Sequence, residues 1–121
     1  MKRCLVVDDS DIIRKIARRI LETMNLEVSE AETGQAGIDR CQIERPDAIL
    51  LDWMMPDMTG IDFLGALRGA ARDSQPFILY CTTENDPEDI ARALSAGAHD
   101  ILLKPFSREE LAAKIAQAGL A

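Results

Sequence analysis

Apolar runs of strand length alternate along this chain with segments whose apolar residues recur every three or four positions. The runs predict strands near Arg3–Asp8, Glu27–Ala31, Ala48–Asp52, Phe77–Cys81 and Ile101–Lys104. AILL and FILYC are almost continuously apolar, which is the pattern of a strand covered on both faces in a parallel sheet. Strand and helix in regular alternation predict a doubly wound α/β fold, a (βα)5 three-layer sandwich around a five-stranded parallel sheet.

The helical segments carry their own punctuation. In the first, Ile12, Ile13, Ile16, Ala17, Ile20, Leu21 and Met24 are spaced as one apolar face. Arg14, Lys15, Arg18 and Arg19 fall between them and are expected on the opposite face. Thr33 is a plausible N-cap for a second helix reaching about Glu44, and a third starts near Gly60 with Ile61, Leu64 and Leu67. Asp86 followed by Pro87, Glu88 and Asp89 is a strong start signal for a fourth, ended by Ala96-Gly97. Ser107-Arg108-Glu109-Glu110 reads as a capping box opening the fifth. These elements account for the whole chain, so a single domain over residues 1–121 is expected.

Four anchors close the apolar runs and open turns: Asp8-Asp9, Asp52, Thr82 and Lys104. In an open parallel sheet such residues gather at the carboxyl edge of the strands, where ligands bind. Three carboxylates in one pocket repel one another and resist desolvation, so they call for a compensating cation. An all-oxygen donor set suits Mg2+. Zinc does not fit, because His99 is the only histidine and no His/Cys cluster exists. Lys104 offers a point charge for a phosphate oxygen and Thr82 a hydroxyl. In that company Asp52 can act as a nucleophile toward a phosphoryl group.

Composition narrows the field. The chain has 121 residues, is 47% hydrophobic and carries a net charge of −7. Such an acidic chain argues against direct nucleic-acid binding. No apolar run approaches the ~20 residues of a membrane span, and the apolar stretch Cys4 to Val7 is too short for a signal peptide. Cys4, Cys41 and Cys81 have no metal-like spacing and read as reduced core thiols, which points to a cytoplasmic setting. His99 reads as a turn residue before the last strand, and Trp53 as a packing residue beside Asp52.

Taken as a set, VVDDS, LLDWMMPDMTG, CTTEND and AGAHDILLKPF resemble the receiver domain of two-component response regulators, in particular the stand-alone chemotaxis-type (CheY-like) members. The resemblance covers essentially the whole chain and implies a flavodoxin/CheY-like fold. It implies Asp52 as phosphoacceptor, and Asp8, Asp9, Asp52 and the Met54 backbone carbonyl as the Mg2+ site. It implies Thr82, the Thr83 backbone and Lys104 as the phosphoryl-binding set, and a cis bond before Pro105. Phosphoryl lifetime is expected to depend on Met54 and Glu84. The family usually has an aromatic residue three positions before the lysine; here it is Ile101, so a threonine–aromatic coupling is not expected in its usual form.

The implied partner is a histidine kinase or histidine phosphotransfer protein. The basic residues Arg14, Lys15, Arg18 and Arg19 are either its docking face or an ordinary solvated face. The implied function is a single-domain response regulator, a switch and not an enzyme beyond its own phosphorylation and dephosphorylation. Its output, whether chemotaxis-type or phosphorelay, would go through protein contacts made by a monomer. Two alternatives remain at this point. One is a phosphoaspartyl phosphatase-like enzyme, against which Met54 stands where a general acid is needed. The other is a degenerate receiver serving only as an interaction module.

Overall fold

The computed structural model describes residues 1–70, 75–83 and 85–121. Five strands alternate with five helices: β1 (Arg3–Val7), α1 (Asp11–Glu22), β2 (Glu27–Ala31), α2 (Gly34–Glu44), β3 (Ala48–Asp52), α3 (Gly60–Ala70), β4 (Phe77–Thr82), α4 (Pro87–Ala96), β5 (Asp100–Leu103) and α5 (Arg108–Gln117). All strand pairs are parallel, in the order β2-β1-β3-β4-β5. The expected (βα)5 sandwich is the fold observed.

Strand alternation builds two cores. Leu5, Val7, Ile49, Leu51, Ile78 and Tyr80 point to the side covered by α2, α3 and α4, where Phe63 is fully buried. Cys4, Val6, Leu50, Leu79 and Leu102 point to the side covered by α1 and α5, against Leu21, Leu111 and Ile115. The three cysteines are buried and unpaired with one another, and burial pushes each thiol up to about 12. They are therefore inert packing groups. No helix among the described residues is long and apolar enough to cross a membrane.

The helix starts follow the sequence signals. Thr33, Asp86 and Ser107 each accept a backbone N–H as N-caps, and Ser107 with Glu110 forms both halves of the capping box. Strand ends differ by one residue from the sequence reading. β1 stops at Val7, which leaves Asp8 in the loop; β4 runs on through Thr82; β5 starts at Asp100, so Lys104 lies just past its end.

The first helix corrects the sequence reading. Ala17, Ile20 and Leu21 are buried, but Ile12 is 69% and Ile16 44% exposed, and Arg14 is buried. At 100° per residue, Ile12 and Ile16 lie roughly a third of a turn from the centre of the Ala17–Leu21 face. The apolar arc is wider than the contact it has to make. Its far side faces solvent, and the guanidinium of Arg14 sits inside.

Phe63 fills the layer between β1 and α3, so Phe63→Ala is expected to cost about 3–5 kcal/mol. Urea unfolding monitored by circular dichroism measures it.

Candidate functional site

The order β2-β1-β3 puts a topological switch between β1 and β3, and the crevice outside their carboxyl ends is where α/β sheets hold ligands. Backbone bonds fix the rim. Asp8 N donates to Ala31 O (3.1 Å), Trp53 N to Cys81 O (2.9 Å) and Lys104 N to Thr82 O (2.9 Å). Each anchor is thus held by the strand beside it.

The side chains converge. Asp8, Asp9 and Asp52 each offer a carboxylate oxygen, and these oxygens lie within 4.8 Å of one another. Asp8 and Asp52 are buried, as is Thr82, while Asp9 is exposed. The Lys104 ammonium donates to Asp8 Oδ2 at 2.8 Å and to Asp52 Oδ1 at 2.9 Å. Asp8 Oδ1 accepts from Ser10 N at 2.9 Å. The Lys104–Pro105 bond is cis, as the resemblance implies.

Charge balance decides what the cluster can hold. Burial raises the Asp52 carboxyl above the ordinary carboxylate range; the charges of Asp8 and Asp9 add to this, and Lys104 opposes it. Burial alone would lower Lys104, but its bonds to Asp8 and Asp52 outweigh that and raise it. One ammonium against three carboxylates leaves negative charge in a partly desolvated crevice. The donor set is oxygen only, with no histidine or cysteine ligand among the three, so a hard divalent cation with several retained waters fits it.

A second network sits behind the first. Arg14 donates from Nη1 to the Asp8 carbonyl at 2.6 Å and from Nε to Glu30 Oε1 at 3.0 Å, and it also pairs with Asp11. Arg18 donates from Nε to Glu30 Oε2 at 2.6 Å and pairs with Glu22. Burial would raise Glu30, yet the two guanidiniums hold it below its ordinary value. This divides the basic cluster read from the sequence. Arg14 and Arg18 are tied to Glu30, whereas Lys15 and Arg19 stay exposed, and among the described residues neither joins an ion pair. Sequence reasoning missed Glu30. Its signal was a carboxylate in a strand whose neighbours Val28 and Ala31 are buried.

The loop after β3 is tightly folded. Met54 and Thr59 form an antiparallel bridge, Met55 N donates to Met58 O (3.1 Å), and Gly60 N donates to Trp53 O (2.8 Å). Gly60 is required, because a Cβ there would lie 2.6 Å from the Tyr80 ring and 2.9 Å from Asp52 O. Trp53 and Tyr80 wall an apolar cavity of about 160 Å3 that reaches Thr82 and Ile90. Tyr80 pairs in register with Ile101 on β5, so an aromatic ring stands one strand over from the position the sequence leaves aliphatic. Thr83 is exposed, and Glu84 lies outside the described residues. His99 sits in the turn before β5 as expected, where its Nδ1 accepts from Ile78 N at 2.9 Å.

Comparison with known proteins agrees with this geometry. Residues 4–116 match the model of the response regulator receiver domain. The chain therefore belongs to that family, the receiver domains of two-component signalling. It is 36% identical over 114 residues to the phosphate regulon transcriptional regulatory protein PhoB of Escherichia coli (strain K12), covering 94% of this chain and 50% of that one. It is 39% identical over 113 residues to response regulator MprA of Mycobacterium tuberculosis (strain ATCC 25618 / H37Rv), covering 93% and 48%. The chain thus spans about half the length of these curated relatives. Among solved structures it superposes on the chemotaxis response regulator CheY4 of Vibrio cholerae with a TM-score of 0.91 at 35% identity, covering 97% of this chain and 98% of that one. A CheY-like receiver domain protein of Methanospirillum hungatei JF-1 gives 0.89 at 29% identity, covering 98% and 93%.

The raised Asp52 sets a pH dependence. A carboxyl whose folded pKa lies above its unfolded value holds its proton more tightly in the folded state. Its ionisation therefore takes stability away as pH rises through the folded pKa. In metal-free protein Asp52→Asn is expected to raise Tm at neutral pH, with the gap to wild type closing as pH falls and Asp52 takes up its proton. Thermal melts between about pH 4 and pH 8 read this directly.

Proposed function

We propose that this chain is a phosphorylation-driven switch in which Asp52 accepts a phosphoryl group from a phosphohistidine. The observation that carries the reading is the buried Asp52 carboxylate, held 2.9 Å from Lys104 and within reach of Asp8 and Asp9. An Asp52 carboxylate oxygen attacks phosphorus; the new O–P bond forms as the P–N bond to the donor imidazole breaks, and the imidazole leaves. An aspartyl acyl phosphate results. The reaction asks for in-line positioning and charge neutralisation more than for proton transfer.

Asp8, Asp9, Asp52 and the Met54 carbonyl are the groups that would hold Mg2+, which when bound offsets negative charge on the phosphoryl oxygens. Lys104 moves from bridging two carboxylates to contacting a phosphoryl oxygen. Thr82, at the end of β4, supplies its hydroxyl, with the Thr83 backbone beside it. The cavity walled by Trp53 and Tyr80 gives Thr82 and its neighbours room to repack when the charge at Asp52 changes. The face formed by α4, β5 and α5 then alters its affinity for a protein target.

The donor side is read from α1. Ile12 and Ile16 are exposed beside Lys15 and Arg19, close in sequence to Asp8 and Asp9. An apolar stripe rimmed with positive charge, on a protein of net charge −7, suits the apolar and acidic surface of a kinase or phosphotransfer helix bundle. Arg14 is buried against Glu30, while Arg18, paired with Glu30 but partly exposed, lies at the edge of that surface.

Incubation with Mg2+ and acetyl phosphate is expected to add one phosphoryl group by intact mass, with a change in Trp53 fluorescence. Asp52→Asn removes the gain. A wild-type protein that gains no mass and shows no Mg2+ response would overturn the reading.

The docking surface has its own test, in which autophosphorylated histidine kinases are screened for one that labels the wild type. Ile16→Glu is expected to slow that transfer about tenfold or more, while labelling by acetyl phosphate is unchanged.

A further inference from the structure

We propose that Asp57 is the positioning residue of the β3–α3 loop, and that it places the Met54 carbonyl at the carboxylate cluster by anchoring this loop on the N-terminus of α2. The inference rests on the proposed Mg2+ site and names the residue that keeps part of it in place. Asp57 Oδ1 accepts from Gly34 N at 2.8 Å and Oδ2 from Gln35 N at 2.9 Å. Both bonds are charge-assisted and lie at the positive end of the helix.

The helix does not need Asp57 for its start. Thr33 Oγ1 already accepts from Ala36 N (3.1 Å), and Thr33 O accepts from Gly37 N (3.1 Å). Asp57 and Gln35 are exposed, so water can serve the Gln35 amide if the carboxylate is absent, whereas Gly34 is buried and its amide relies on Asp57. The same two bonds tie the loop to the helix.

The loop also lies close against α2 at Gly34, where the Met58 side chain occupies the space a Cβ would take. A Cβ on Gly34 would lie 2.3 Å from Met58 Cγ and 2.5 Å from its sulfur. Pinned at Asp57 and Met58, the loop is closed on itself by the Met54–Thr59 bridge and by the bonds Met55 N to Met58 O and Gly60 N to Trp53 O. These bonds tie residues 54–59 to one another, so holding Asp57 restrains Met54 as well. The Met54 carbonyl is at the start of that segment, two residues past Asp52.

The test is Mg2+ affinity of the full chain, measured by calorimetry and by Trp53 fluorescence, for wild type, Asp57→Ala, Asp57→Asn and Thr33→Ala. Asp57→Ala is expected to weaken Mg2+ binding roughly tenfold, the scale of lost outer-sphere support. Asp57→Asn, which keeps one acceptor, falls between. Thr33→Ala removes a cap from the same helix and should lower Tm while leaving Mg2+ affinity at the wild-type value. Wild-type affinity in Asp57→Ala overturns the proposal. So does an equal loss in Thr33→Ala, because the effect would then be a general weakening of α2. A wild type that binds no Mg2+ overturns the site reading and this proposal together, whereas the first two outcomes leave the site reading intact.

Discussion

The interaction on which the rest of this molecule depends is the Lys104 ammonium shared between Asp8 and Asp52. Its two bonds, 2.8 and 2.9 Å long, join residues 96 and 52 positions apart in the chain. Burying two carboxylates costs several kcal/mol each without a partner. One lysine offsets only part of that, so the crevice remains a place where negative charge is held against its preference. A site of this kind favours a cation. The strain is local, and the stability that tolerates it comes from the two apolar layers beneath.

Those layers also supply rigidity. β1 and β3, side by side and buried on both faces, end at the crevice, and every anchor is one residue from a ladder hydrogen bond. Behind Asp8, the Arg14–Glu30–Arg18 network holds the backbone rather than the carboxylate, since Arg14 reaches the Asp8 carbonyl. Beside Asp52, the β3–α3 loop is closed on itself and seated on α2. The carboxylates are thus backed from both sides by bonded networks that hold the backbone around them.

A receiver fold does not by itself fix an output. The curated relatives PhoB and MprA are about twice as long as this chain, whereas the CheY-like structures are covered over 98% and 93% of their length. Two features of this chain lie at the surface and next to the site: two exposed isoleucines among cations on α1, and an aromatic ring on β4 where β5 carries isoleucine. Tyr80 and Ile101 face each other across the β4–β5 pair, so the cavity near Thr82 has its aromatic wall in the adjacent strand.

The sequence by itself determined the strands, the helix caps and the identity of the convergent residues. These are written in local signals: unbroken apolar runs, Thr33, Asp86-Pro87 and the Ser107–Glu110 box act within a few residues of themselves. Asp8, Asp52 and Lys104 were legible because a parallel sheet brings strand ends together whatever else it does. Only the tertiary structure decided which of the polar side chains face solvent. The apolar spacing of α1 is wider than its contact face, so periodicity could not show that Ile12 and Ile16 lie outside and Arg14 inside. The placing of Arg14 depended on Glu30, sixteen residues away on β2. The grip of Asp57 on Gly34 and Gln35 was hidden for the same reason. A hydrogen bond across more than twenty residues leaves no local pattern, because it exists only once two elements have packed.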